Sequence, residues 1–396
     1  MVSDLLRDRA VSSALAWLDA HAAEITAEQI ALCQIPAPVG AEGRRAREVA
    51  ARLRRAGLRN VALDDAGNVV ALRRGVRRES VVVLCAHLDT VFPAETNVTV
   101  RREGTLLRAP GISDNAAGLA ALLAIARALR AGAVRTKAGL VFLATVGEEG
   151  RGDLRGVRHF FDHHPLARSV EAFVAIDGAV PGRIVNVGVR CRRFELIFRG
   201  PGGHSWADFG LPNPVHALAK AIACLAQYPA PEEPKTTFNV GVVQGGCSVN
   251  AIPEAARAEV DLRSLSEDEL GRLEKHLAAC LRTAAEEETG RAPGYSLATE
   301  MTVLSDRPGG ETPADAPLVR AAAEAFSLMG IAPHLAASST DANLPMSRGL
   351  PAVALPAGGR SGGVHTLDEW HDITGREQTL KALALVALWA AGLAPA

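Results

Sequence analysis

The sequence lacks an excess of charge of either sign and any long apolar run. Its 43 Lys and Arg balance 44 Asp and Glu, giving a formal net charge of -1. A chain without a basic surplus is not expected to bind nucleic acid or an anionic membrane. No run reaches transmembrane length, and the first residues contain no apolar core of signal-peptide length. We therefore expect a soluble cytoplasmic protein with no nucleic acid and no membrane as partner.

Cysteine pairs spaced for a metal are also missing. The six cysteines are scattered singly, without a C-x-x-C pair. Such spacing is not typical of a disulfide framework or a thiolate zinc site, so we expect the thiols to be reduced.

Four apolar runs predict strands of a large sheet. They are Val81–Ala86, Leu140–Thr145, Phe173–Ile176 and Ala352–Leu355, and an alanine-rich helix is predicted over Ala116–Ala131. Strands that alternate with helices are typical of an α/β fold with a mostly parallel sheet and helices on both faces. Such sheets place their ligands at the carboxyl ends of the strands.

A different pattern occupies the middle of the chain. The predicted elements are the strands Arg193–Arg199, Thr236–Val243, Ala256–Arg263 and Tyr295–Val303, with helices over Pro214–Gln227 and from Ser266 towards Glu288. The order β-α-β-β-α-β is that of a ferredoxin-like α+β domain. Because the first pattern returns near Ala352, we predict that residues 190–305 form a small domain inserted between residues 1–189 and 306–396 of the large one.

Candidate metal ligands follow the strands predicted for the large domain or precede its alanine-rich helix. They are His87, Asp89, Asp114, Glu148, Glu149, Asp177 and His365. Taken singly, each has an ordinary alternative, such as a helix cap for Asp114 or a solvated turn for the glutamate pair. Imidazoles and carboxylates that converge on one edge of a sheet suit zinc or a similar divalent ion. Together they favour a metal site.

The segments that carry these residues resemble the dinuclear-zinc exopeptidase and deacylase family, which includes peptidase T, glutamate carboxypeptidase, acetylornithine deacetylase and aminoacylase. In chain order they are His87-Leu-Asp-Thr, Gly111-Ile-Ser-Asp-Asn, Glu148-Glu149, Ala175-Ile-Asp, Gly202-Gly-His-Ser and Val364-His365. The resemblance spans nearly the whole chain, including the inserted domain. Many relatives carry a lysine shortly after the aspartate at position 114, and its absence here argues against the acetylornithine and diaminopimelate branches.

The resemblance implies a role for each candidate ligand. His87 and Asp177 are implied to hold one divalent ion and Glu149 and His365 the other, with Asp114 bridging the two. The ions are expected to be zinc, with cobalt or manganese as alternatives. Glu148 is implied as the general base and Asp89 as the residue that orients His87. The family pattern favours His365 over His371 as the last ligand.

The resemblance also assigns roles to the inserted domain. His204 is implied as the donor to the oxyanion, acting on the partner subunit of a homodimer formed through this domain. The alternative is a histidine that only orders the glycine turn. Arg263 is implied to bind the substrate carboxylate, against the alternative of a surface ion pair, and Asn250 to lie near the substrate.

The function implied is hydrolysis of an amide bond by metal-activated water. The first hypothesis is an exopeptidase that acts on short peptides, and the second is an N-acyl-amino-acid deacylase. The third is a non-catalytic binding protein on the same scaffold. The retention of Glu148 with the full ligand set argues against that third reading.

Overall fold

A computed structural model describes residues 1–395, which divide into two compact units. The large unit comprises Met1–Gly188 and the chain from Gly310 onward, and the small unit comprises Val189–Gly309. The second boundary lies a few residues later than the predicted position 305, because the last strand of the small unit continues to Arg307.

The helices of the two units range from five residues in α9 to 23 residues in α7. None of those in residues 1–395 is long and apolar enough to span a membrane. They are α1 Arg9–Ala20, α2 Ala22–Cys33, α3 Gly43–Arg55, α4 Ala116–Ala131, α5 Arg155–His163, α6 Pro214–Leu225, α7 Glu267–Thr289, α8 Pro317–Leu328, α9 Asn343–Ser347 and α10 Arg376–Ala391.

The strands belong to one large sheet and three small ones. They are β1 Asn60–Leu63, β2 Val69–Arg73, β3 Val81–His87, β4 Arg101–Glu103, β5 Leu106–Arg108, β6 Gly139–Thr145, β7 Val170–Ile176, β8 Arg183–Gly188, β9 Arg190–Arg199, β10 Gly203–His204, β11 Thr236–Gly245, β12 Ala251–Ile252, β13 Ala255–Ser264, β14 Ala298–Arg307, β15 Gly310–Glu311, β16 His334–Ser338, β17 Ala352–Leu355, β18 Arg360–Gly362 and β19 Trp370–Asp372.

The centre of the large sheet consists of the four strands β6-β3-β7-β17, and each adjacent pair is parallel. Strands β2 and β8 add to its two sides in antiparallel fashion. The four predicted apolar runs lie in these four central strands, and α4 has the predicted bounds. The mostly parallel α/β fold is therefore confirmed.

Both faces of this sheet are covered because alternate residues of a strand point to opposite faces. On β3, Leu84 lies in the core formed with α4 and α10, whereas Val83 lies in the core formed with α5 and α9. All seven residues of β3 are buried. Burying each such aliphatic side chain stabilises the fold by roughly 1.5–3 kcal/mol, which explains why the run contains no polar residue before His87.

The small unit has the predicted ferredoxin-like order. Its antiparallel sheet has the strand order β11-β13-β9-β14, and α6 and α7 pack against β13 and β9 through one apolar core. Ser266 caps α7 by accepting a hydrogen bond from the Glu269 N–H at 3.3 Å. The last strand starts at Ala298 rather than at the predicted Tyr295, because Tyr295 lies in the half-exposed turn after α7.

One pair of cysteines contradicts the expectation of reduced thiols. Cys224 on α6 and Cys280 on α7 form a disulfide. The two residues are 56 positions apart, and the packing of the two helices brings them together. Spacing along the sequence does not reveal such a pair. The other four cysteines are free.

Candidate metal centre

The candidate ligands converge because the central strands of the large sheet are parallel. His87 is the last residue of β3, Glu148 and Glu149 follow β6, and Asp177 follows β7. The Asp177 N–H donates to the Leu355 carbonyl at the end of β17, at 2.9 Å, which fixes its place between two strands. The carboxyl ends of β3, β6 and β7 therefore present their polar residues at one edge of the sheet, beside the end of β17.

Asp114 enters this edge from the residue before the cap of α4. The cap is Asn115, whose side-chain oxygen accepts a hydrogen bond from the Gly118 N–H at 3.0 Å. The Asp114 carboxylate is thus not used to cap the helix, which removes the ordinary alternative for this residue.

Two groups of three ligand atoms share Asp114. One contains His87, Asp114 and Asp177, and the other contains Asp114, Glu149 and His365. The Nε2 atom of His87 lies 2.9 Å from Asp114 Oδ1, and that of His365 lies 3.1 Å from Asp114 Oδ2 and 2.9 Å from Glu149 Oε1. His87 Nε2 and Asp177 Oδ1 are 3.9 Å apart. This arrangement fits a site for two metal ions in which the Asp114 carboxylate bridges the two sets of ligands.

The protonation of His87 fits a metal better than a hydrogen bond. Its Nδ1–H donates to the Asp89 main-chain carbonyl at 3.1 Å, so Nε2 presents a lone pair to the carboxylates. His87 Nε2 and Asp114 Oδ1 are both buried and, within residues 1–395, neither forms a well-aligned hydrogen bond. Two facing acceptors in a buried site are satisfied when both coordinate a cation, as an imidazole and a carboxylate do with zinc.

The shifted pKa values of the candidate ligands also favour a bound cation. Burial acts to raise the pKa of Asp114, but its hydrogen bond with His365 and the neighbouring His87 imidazole outweigh burial and hold that pKa below its ordinary value. Burial and the nearby Asp114 raise the pKa of Asp177 to about 7. The hydrogen bonds with Asp114 and Glu149 raise the pKa of His365 to about 10. A divalent cation offsets this concentration of carboxylates while it displaces the imidazole proton.

Asp89 differs from its expected role. Its carboxylate lies 3.8 Å from His87 Nδ1, and the main-chain carbonyl orients that imidazole instead. The two carboxylate oxygens accept hydrogen bonds from the Glu148 N–H at 3.0 Å and the Glu149 N–H at 2.7 Å. The fully buried Asp89 therefore fixes the main chain that carries both glutamates, because the turn after β6 folds back onto it.

His365, rather than His371, reaches the carboxylates. His365 adopts a left-handed φ of 66°, which is uncommon for a side chain larger than glycine and frequent at functional sites. His371 is buried on β19, where one ring nitrogen lies 2.8 Å from the Gly358 carbonyl and the other lies 2.7 Å from the Gln29 amide. His371 is therefore engaged elsewhere in the core.

We expect His365→Ala to lower the metal content of the purified protein. A dinuclear site takes about two divalent ions per chain, and His365 completes only one of the two ligand groups. Elemental analysis after dialysis should therefore show loss of about one ion. His371→Ala tests the alternative assignment. Unchanged metal content in His365→Ala would remove this residue from the ligand set.

Glu369 is a residue that the sequence reasoning missed. Its buried carboxylate accepts hydrogen bonds from the Gly111 N–H at 2.7 Å, the Ser113 N–H at 2.8 Å and the Asp114 N–H at 3.0 Å. It also accepts the Ser113 hydroxyl at 2.6 Å. Glu369 thus holds the loop that presents Asp114. In the sequence it stands four residues after His365, with no local pattern that marks this role.

Glu369→Gln should weaken metal binding while the chain stays folded. The substitution places an amide group among N–H donors, so the loop carrying Asp114 loses part of its support. Loss of such outer support typically lowers metal affinity by roughly 10–100-fold. Competition with a chromophoric chelator measures this change. The exposed Glu103 provides a matched Glu→Gln control that should keep the wild-type affinity, and equal affinity in both variants would disprove the role.

Asp341 is a second residue without a clear signal in the sequence. It is buried behind the ligands, where the Thr145 hydroxyl donates to its Oδ2 at 2.5 Å and the Cys85 thiol at 3.4 Å. Burial raises its pKa. Asp341 is far from β3 and β6 in the sequence, so only the structure shows that it lies next to residues of these strands.

The small unit carries His204 and Asn250. They lie close together because β10 pairs with β12, and the Ser205 N–H donates to the Asn250 carbonyl at 3.0 Å. His204 is exposed, and its Nδ1 accepts hydrogen bonds from the Trp206 and Ala207 N–H groups at 3.2 and 3.3 Å. The Asn250 side chain accepts the Ser248 hydroxyl at 2.6 Å.

Arg263 lies on the polar face of β13, opposite to the buried Leu262. Its Nε donates to Asp261 Oδ2 at 2.6 Å, and the Arg193 Nε donates to the other oxygen of the same carboxylate at 2.8 Å. In the small unit the guanidinium is therefore part of a surface ion-pair network, which was the alternative to a substrate contact.

Comparison with protein families assigns the two units separately. Residues 68–189 match the family described as Peptidase family M28, and residues 191–289 match the Peptidase dimerisation domain. The chain is 31% identical to acetylornithine deacetylase of Myxococcus xanthus over 333 residues, which cover 78% of this chain and 82% of the relative. The chain belongs to the dinuclear-zinc exopeptidase and deacylase family. Membership makes it a metal-dependent hydrolase of amide bonds.

Other members of the family show similar overlap. Succinyl-diaminopimelate desuccinylase of Corynebacterium glutamicum is 28% identical over 63% of this chain and 69% of its own length. A tripeptidase from Staphylococcus aureus has the same fold, with a TM-score of 0.77 and 21% identity over 93% of this chain and 98% of its own. The missing lysine after Asp114 therefore does not separate the chain from acetylornithine and diaminopimelate relatives in overall sequence.

Proposed function

We propose that this family member is an exopeptidase that cleaves short peptides at an amide bond, using water activated at a dinuclear zinc centre. One observation carries the proposal. The Glu148 carboxylate forms a third possible metal-ligand group with His87 and Glu149. His87 and Glu149 each also belong to one of the two groups that share Asp114. A buried carboxylate placed next to a metal centre is suited to take a proton from the attacking water.

The two candidate ligand groups that share Asp114 support the following roles for the residues. His87 and Asp177 would hold one ion and Glu149 and His365 the other, and the Asp114 carboxylate belongs to both ligand groups. When bound, two divalent ions polarise the scissile carbonyl and lower the pKa of a water. Glu148 accepts the proton of that water and returns it to the leaving amine. Asp89 fixes the positions of both glutamates, because its carboxylate accepts hydrogen bonds from their main-chain N–H groups.

His204 is suited to donate a hydrogen bond to the developing oxyanion. Its Nδ1 accepts two main-chain N–H groups, so the proton of the neutral imidazole resides on Nε2. A preoriented N–H of this kind stabilises the negative charge of the transition state. We propose that it does so across a homodimer formed by the small unit. The adjacent Trp206 and Phe209, 87% and 82% exposed, are the kind of apolar surface that a partner covers.

The second candidate is an N-acyl-amino-acid deacylase, which uses the same residues on a different acyl group. The names of the relatives support a deacylase as directly as they support an exopeptidase, because they include a desuccinylase and a deacetylase. Nothing in the metal centre distinguishes the two, because both reactions break an amide bond by the same steps.

A substrate panel tests the proposal. We expect hydrolysis of Ala-Ala and Gly-Gly-Gly to stop on treatment with a chelator and to return on addition of zinc. Faster turnover of N-acetyl amino acids than of these peptides would favour the deacylase instead. If the metal-loaded protein hydrolyses neither class, the proposed function is wrong.

A further inference from the structure

A second polar site lies beside the metal centre, in the hairpin of β4 and β5. Arg101 and Arg108 stand directly opposite each other on these antiparallel strands. Both line a cavity of about 330 Å³. Within residues 1–395 neither guanidinium forms a hydrogen bond or an ion pair. Like charges placed directly across a strand pair destabilise it, so two unpaired arginines at one cavity need another explanation.

The face of the hairpin explains why both side chains reach the cavity. Leu107, the neighbour of Arg108 on β5, points to the opposite face and is fully buried in an apolar cluster. Because neighbouring residues of a strand alternate between faces, Arg108 and its partner Arg101 share the other face. Trp370 lies next to Arg108 on that face, as its partner across β5 and β19.

The cavity is built from the same segments that carry the metal ligands. Its wall contains Ala109 and Pro110, which lead into the loop of Asp114, and Leu367 and Asp368, which follow His365. The two segments are joined where the Ala109 N–H donates to the Glu369 carbonyl at 3.1 Å. A ligand in this cavity is therefore positioned by the elements that position the centre.

We infer that this cavity is a substrate subsite for a carboxylate carried on a short aliphatic chain. This rests on the proposed function, and it makes acidic peptides the preferred substrates. Two guanidiniums bind a carboxylate with several charge-assisted hydrogen bonds. Leu367, which is 69% exposed, and Pro110 offer apolar contact for the methylene groups. Asp368 is the one acidic side chain in the wall, and it limits the attraction for an anion.

The test compares substrates that differ only in charge. We expect the wild-type enzyme to cleave a glutamate-containing dipeptide about tenfold more efficiently than its glutamine counterpart, mainly through KM, since a charged hydrogen bond contributes about this much. Both orders of each pair, Glu-Ala with Gln-Ala and Ala-Glu with Ala-Gln, are measured. Arg101→Gln and Arg108→Gln should each reduce the preference. Asp368→Asn should increase it.

Arg102→Gln is the matched control, because Arg102 is the cross-strand partner of Leu107 on the opposite face of β4. It donates to the Gly104 carbonyl and does not line the cavity. It should keep the wild-type preference. Equal efficiency on acid and amide substrates, or a preference that survives both Arg101→Gln and Arg108→Gln, would overturn the subsite. A preference that screening by 0.5 M salt does not reduce would overturn it as well.

Binding of glutarate to the zinc-loaded chain separates this inference from the proposed function. If no dipeptide is cleaved, the proposed function fails, and calorimetry still tests the cavity. Binding by the wild type and Arg102→Gln, but not by Arg101→Gln or Arg108→Gln, supports a carboxylate site. Binding that is unchanged in all variants contradicts it. Glutarate that binds there and alters cleavage of Gln-Ala, with no acid preference, identifies a free anion as the ligand and also overturns the substrate subsite.

Discussion

Glu148→Gln should abolish most turnover while the metal ions remain bound. The amide keeps the shape of the glutamate but accepts no proton at neutral pH, so the attacking water is not deprotonated and the leaving amine is not protonated. Removal of a general base typically costs roughly 10²–10⁴-fold in rate. The Glu148 N–H still donates to Asp89, which keeps the turn after β6 in place. We therefore expect kcat to fall with little change in KM.

Glu149→Gln separates proton transfer from metal binding. Glu149 is the neighbouring residue of the same turn, but its carboxylate belongs to the ligand group of His365 and Asp114. This variant should lose metal as well as activity, whereas Glu148→Gln should lose activity alone. Turnover of Glu148→Gln within a few-fold of wild type would show that another group is the base.

His204→Ala should lower kcat by roughly 10²–10³-fold, the usual cost of removing one donor to an oxyanion. His204 belongs to the small unit and every metal ligand to the large one, so metal content should not change. His216, an exposed histidine on α6 of the same unit, provides the control, and His216→Ala should be as active as wild type.

Mixing the two inactive variants tests whether His204 acts on its partner subunit. In a mixed dimer of His204→Ala with Glu148→Gln, one site has both groups intact and the other has neither. Half of the dimers are mixed after random exchange, so about a quarter of the sites should become active. Subunit exchange is followed independently by mass. Exchange without recovered activity would show that His204 acts within its own chain.

The ligands could be located from the sequence because the geometry of a parallel sheet is regular. His87, Glu149 and Asp177 each follow an apolar run, and parallel neighbouring strands end at one edge. Once these strands are predicted to be parallel neighbours, the sequence alone predicts that the three residues lie close together. His365 required the family resemblance, because its loop adopts a left-handed conformation that no local pattern predicts.

Contacts between distant segments could not be predicted in this way. Glu369 meets Asp114 only because β19 pairs with β5 beside the loop that carries Asp114. Cys224 and Cys280 meet because two amphipathic helices pack at one particular register. The main-chain carbonyl of Asp89, rather than its carboxylate, orients His87, and this depends on a turn of two residues. Each case depends on tertiary packing, which residue type and spacing do not specify.

The location of bound metal tests the central claim most directly. Crystals of the zinc-loaded protein, measured on both sides of the zinc absorption edge, should show two anomalous peaks per chain. One should be coordinated by His87 and Asp177, the other by Glu149 and His365, and Asp114 should contact both. A single peak, a pair of peaks that Asp114 does not bridge, or zinc bound only outside these residues would contradict a dinuclear centre at this edge of the sheet.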